Sequence, residues 1–66
     1  MVKRASFNSP VLFWREAKST YADFDGSRVI CEYAAEPIPR LVFSKVGEAT
    51  TICVPLHNVA WMEFTA

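Results

Sequence analysis

Glycine occurs twice in this 66-residue chain, histidine once and cysteine twice, with no excess of either charge sign. Each scarcity excludes a class of function. With glycine confined to Gly26 and Gly47, there is no glycine-rich loop to cradle a phosphate through backbone N–H groups. A catalytic histidine needs reach to its substrate and an orienting partner. The single histidine, His57, stands in a proline-containing corner with no nucleophile motif beside it, and reads as a polar residue bonding local backbone. Cys31, Cys53 and His57 fall one side chain short of a structural zinc site. Asp23 and Asp25 flank a turn, where aspartate is favoured for local hydrogen bonding, so they need no metal. Two cysteines are too few for a secreted disulfide scaffold, and both sit in apolar strand-like runs where buried free thiols are expected. No catalytic residue, cofactor or metal is assigned.

Seven basic residues balance seven acidic ones, so no global field draws the chain to nucleic acid or to an anionic membrane. The opening Met1-Val2-Lys3-Arg4 resembles the basic region of a secretory signal only superficially. The apolar run that follows, Val11-Leu12-Phe13-Trp14, ends at Arg15 and Glu16. A signal core needs roughly 7–15 apolar residues and a membrane helix about 20. A cytoplasmic chain with no membrane partner is expected.

What the chain has in quantity is apolar surface: 52% hydrophobic and 14% aromatic residues. That is too apolar for a disordered tail, and the length allows a single domain over residues 1–66 with a core near the lower limit for folding alone. Pro10, Asp25-Gly26, Pro37, Pro39, Gly47 and Pro55 interrupt the sequence at short intervals, a spacing that reads as all-β. Lys3 to Phe7 and Val11 to Glu16 form two short strands about the Asn8-Ser9-Pro10 turn. Thr20 to Phe24 and Arg28 to Tyr33 form a hairpin about Asp25-Gly26-Ser27, because Asp-Gly suits the positive φ of a type I′ turn. Val29, Cys31 and Tyr33 take its core face and Ile30 the outer one. Ala34 to Pro39 is a connector, since two prolines remove two ladder donors. Leu41 to Lys45 and Thr50 to Val54 form a second hairpin, with Ile52 and Val54 on one face and Thr51 and Cys53 on the other. A competing reading is a helix from Ser9 to Tyr21, with Pro10 in its first turn. Candidate core or interface positions are Val29, Cys31, Tyr33, Leu41, Phe43, Ile52, Val54, Val59 and Trp61.

Val54-Pro55-Leu56-His57-Asn58-Val59 is similar to the corner before the last strand of SH3 domains, where one turn of 3₁₀ helix joins two strands. The resemblance implies a small five-stranded antiparallel SH3-like barrel or strongly bent sheet, with a 3₁₀ turn before the last strand. The acidic and aromatic ligand motif of that family is missing, so proline-rich peptide binding is not implied. The strand-sized segments and the corner also look like the small barrels encoded in bacteriophage early regions, which implies an accessory viral protein in the host cytoplasm.

Two binding readings remain. In one, bases of a single strand stack on aromatics while basic side chains track phosphates; its candidates are Lys3, Arg4, Phe13, Trp14, Arg15, Lys18, Tyr21, Arg28 and Arg40. In the other, the last strand is apolar on both faces and seeks a protein cover, including a second copy in a homodimer, through Trp61, Met62, Phe64 and Trp14. The second accounts for more of the composition: neutral charge, high apolar content and short length.

Overall fold

The computed structural model describes residues 1–15, 18–24 and 27–65. Six strands make one antiparallel sheet: β1 (Val2–Leu12), β2 (Lys18–Asp23), β3 (Val29–Ala34), β4 (Arg40–Lys45), β5 (Ile52–Pro55) and β6 (Val59–Phe64). A 3₁₀ turn, Leu56–Asn58, joins β5 to β6. The chain is therefore all-β with the expected corner, but among the described residues the strands number six and the sheet does not close into a barrel.

Pairing registers explain the sixth strand. Val2 faces Cys31 on one side and Phe64 on the other, and Arg4 faces Asp23 and Glu63 in the same way. β2 and β3 thus follow one another along one edge of β1, while β6 runs along the opposite edge. They are successive lengths of one sheet position, not the two arms of a hairpin. The hairpin expected of Thr20–Phe24 and Arg28–Tyr33 does not form, because both arms pair with other strands: β2 with β1, and β3 with β4 over its whole length. Between them Ser27 donates to the Phe24 carbonyl at 3.1 Å and its hydroxyl accepts from the Val29 N–H at 3.1 Å. Asp25 and Gly26, the centre of the expected turn, lie outside the described residues, as does Glu16, the expected end of the second strand.

No break separates Lys3–Phe7 from Leu12. β1 is 11 residues long, roughly 33–36 Å if straight, longer than any principal dimension of the molecule, 26 × 26 × 22 Å. It bends where its pairing with β2 shifts between Ser6 and Val11. Pro10 falls in that irregular stretch, where the N–H it lacks is not needed by the ladder. Neighbouring Ser9 is paired by a side chain: its N–H donates to Asn58 Oδ1 at 2.8 Å and its carbonyl accepts from Asn58 Nδ2 at 3.2 Å. The Asn58 amide thereby imitates a strand residue where the backbone has turned into the 3₁₀ corner. These contacts leave no room for a helix from Ser9 to Tyr21.

Val2, Ala5, Phe7, Cys31, Leu41, Phe43 and Val54 form the buried core. Phe43 is its centre, with ring centroids of Phe13, Phe24 and Phe7 at 5.0, 5.1 and 6.1 Å. Of the candidate core set, Cys31, Leu41, Phe43 and Val54 are buried, and Val29, Ile52 and Val59 pack against them. Tyr33 and Trp61 instead face outward. Ile30 is exposed, as its alternation predicts.

Both cysteines are free; Cys31 is buried, but Cys53 is exposed, contrary to expectation, because Ile52 and Val54 occupy the inner side of β5. Desolvation pushes the Cys31 thiol up to about 12, which suppresses its thiolate. Iodoacetamide is accordingly expected to label one thiol per native chain, Cys53, and two after denaturation. Equal native labelling of both would contradict this packing.

Candidate binding face

The outward side of β2-β1-β6 is built by two rows of cross-strand neighbours. Tyr21, Ser6 and Trp61 make one row, and Asp23, Arg4 and Glu63 the other. Trp61 reaches this face because β6 carries an irregularity: Ser6 pairs with Trp61 while the next residue, Phe7, pairs with Val59, leaving Ala60 as the extra residue. A bulge resets the alternation, so Val59 and Met62 both pack against the core and the tryptophan between them points away. Tyr21 and Trp61 are 47% and 48% exposed, with ring centroids 6.1 Å apart and planes inclined by 51°. Beneath them the Ser6 hydroxyl donates to the Thr20 carbonyl at 3.2 Å.

Beside the rings the charges neutralise one another. Arg4 Nε donates to Asp23 Oδ2 at 3.1 Å, and Arg4 Nη1 donates to both Glu63 oxygens at 3.2 and 3.1 Å. Lys3 Nζ stands 3.6 Å from Glu63 Oε1. The hydrogen bond to Asp23, then that to Glu63, raises the Arg4 guanidinium further above its ordinary value. The Arg4 hydrogen bond also holds the Glu63 carboxyl below its ordinary value of 4.5. A depressed folded value stabilises the fold above the ordinary carboxylate range, and that contribution disappears as pH falls through the folded value. Exposure and salt screening keep it small. The unfolding midpoint is expected to decline on acidification below the ordinary carboxylate range, less so in 1 M salt, and Glu63→Gln is expected to flatten the decline; parallel pH profiles would contradict the pairing.

The other sequence-derived candidates are dispersed. Met62 faces the core, and Phe64, 52% exposed, lies at the rim opposite Val2 in the ladder. Phe13 packs among Phe7, Phe43 and Trp14. Trp14 belongs to the β1–β2 turn, where it and Arg15 adopt left-handed backbone, φ 47° and 66°, an arrangement costing of order 1–3 kcal/mol per residue. Its Nε1 donates to the Thr50 carbonyl at 3.0 Å and Lys45 Nζ lies 5.7 Å from its ring centroid. Trp14 and Thr50 line a groove of about 470 Å³ together with Leu12, Arg15 and Glu48. Arg40 Nη1 donates to the Glu36 and Ile38 carbonyls at 2.7 and 3.1 Å, bracing the connector. Lys18 and Arg28 are exposed.

Sequence reasoning missed Ser6, Asp23 and Glu63 as members of one face. Asp23 in particular is an ion-pair partner in β2, not a turn residue. The registers of β1 with β2 and with β6 bring these residues together, and no residue type announces them.

Among the described residues no group of histidine, cysteine and carboxylate side chains could hold a metal, and no helix is long and apolar enough to cross a membrane. Comparison with protein-family models, with curated proteins and with solved structures gives no match.

Proposed function

We propose that this chain is a non-catalytic binding module that acts by protein–protein contact, including self-association, through the outer face of β2-β1-β6 and the adjoining edge of β6. The observation that carries this reading is the Tyr21–Trp61 pair: two large rings in contact, each about half exposed, on an open sheet face. Such aromatic groups supply large contact area at little cost in rotamer entropy, and binding energy concentrates on them. The neutralised Asp23–Arg4–Glu63 row sets a polar border without demanding a charged partner. A cytoplasmic accessory role of the bacteriophage type belongs to the same proposal.

The single-strand reading draws less support, because Lys3 and Arg4 are turned to carboxylates, and Arg40 to backbone carbonyls. Fluorescence titration of Trp14 and Trp61 with an unstructured oligonucleotide at two salt concentrations separates the two. No quenching is expected at either salt. Quenching that falls steeply with salt would transfer the proposal to nucleic acid.

A further inference from the structure

Among the described residues β2 pairs only with β1, β5 only with β4, and β6 only with β1, so each of these strands has a free edge. Unpaired edges recruit other strands unless they are short, charged, interrupted by proline or otherwise blocked. β5 is four residues long and ends in Pro55. β2 is bounded by Lys18 and Asp23, and its centre is capped: the Ser19 hydroxyl accepts from the Tyr21 N–H and donates to the Tyr21 carbonyl. β6 has none of these defences. Over Val59–Phe64 it contains no proline and one charge, Glu63, which Arg4 and Lys3 already neutralise. Among the described residues no side chain bonds its backbone. Its irregularity, Ala60, lies near the start and leaves Trp61 to Phe64 in continuous strand.

We propose that two copies of the chain join edge to edge along β6, antiparallel about a twofold axis near Met62, so that Tyr21 and Trp61 of both copies form one aromatic strip on a continuous six-stranded face. This rests on the reading above that the β6 side is the interaction surface, and it names the occupant of the edge. A second copy fits for reasons of charge. The chain has zero net charge, and the twofold near Met62 sets Trp61 opposite Glu63 of the partner subunit. A twofold at residue 63 would instead set two glutamates face to face, which is unfavourable. With neighbouring strands roughly 4.8 Å apart, the strip spans five strand spacings, roughly 24 Å, and half of it is missing from a single chain.

Sedimentation equilibrium tests the assembly. The wild-type chain is expected at twice its 7.5 kDa mass. Ala60→Lys places a charge on the edge at an exposed position, and is expected to sediment as a monomer with an unchanged circular dichroism spectrum. Phe64→Lys does the same at the other end of the strand and serves if the first variant does not fold. Tyr21→Ala, two strands removed from the edge, is expected to remain dimeric. A monomeric wild type overturns the proposal, as do lysine variants that stay dimeric, or a dimer that Tyr21→Ala abolishes, which would place the copies face to face. Partner capture by the same samples separates this from the functional reading. A monomer whose protein capture still needs Trp61 overturns the edge pairing alone; an edge-paired dimer whose capture ignores Trp61→Ala overturns the reading and leaves the pairing.

Discussion

Phe43→Ala is expected to unfold the chain, or leave it so close to its midpoint that no pretransition baseline survives in urea. Phe43 is completely buried and its ring meets those of Phe7, Phe13 and Phe24. Truncating a buried phenylalanine costs about 3–5 kcal/mol, from lost transfer energy and from the cavity left behind. Native stabilities run roughly 0.05–0.15 kcal/mol per residue, so a chain this short has no more than several kcal/mol to lose. Three aromatic neighbours cannot collapse into the space without leaving their own contacts, which puts the loss toward the upper end. Phe43→Leu keeps most of the volume and is expected to remain folded with a lowered midpoint. Circular dichroism through a urea titration reads both, and a Phe43→Ala curve matching the wild type would mean that the core is centred elsewhere.

Trp61→Ala is expected to do the reverse: leave the fold nearly untouched and remove binding. The ring is half exposed, lies outside the core and touches Tyr21 rather than Phe43. Exposed substitutions away from caps, networks and cavities usually change stability by about 0.5 kcal/mol or less. A tryptophan at the centre of an interface, by contrast, contributes about 2–4 kcal/mol to association, roughly a 30- to 900-fold loss of affinity. The unfolding midpoint and the affinity for a captured protein, measured on the same preparation, decide the matter. A fall in midpoint matching the fall in affinity would make the tryptophan a structural residue.

The elements that the sequence revealed are those ruled by local chemistry. Pro55 and Asn58 mark the corner, and the alternation of Leu41, Phe43, Ile52 and Val54 marks the inner faces of β4 and β5. The features it concealed depend on long-range registry. Asp25-Gly26 carries a hairpin signal, yet β2 pairs with β1, and β3 with β4 over its whole length. Pro10 looks like a strand end, yet an irregular stretch of β1 accommodates it and Asn58 restores the lost pairing at Ser9. Val2, Ala5 and Phe7 were hidden as core because β1 is irregular at Lys3 as well: Val2 pairs with Phe64 and Arg4 with Glu63. Trp61 and Tyr21 stand 40 residues apart in the chain, and their contact exists only because Ser6 separates them in the sheet. An apolar strand such as Val59–Phe64 gives no internal sign of which ring faces solvent; the bulge at Ala60 decides it.

Hydrogen–deuterium exchange followed residue by residue, in dilute and concentrated protein and with captured protein added, addresses the role of β6 most directly. The account predicts that amides within Val59–Phe64 slow as the surface becomes occupied, while those of Ile52–Val54 on the free edge of β5 keep their rates. Slowing confined to β5 or to the Trp14 turn, with β6 unchanged, would contradict it.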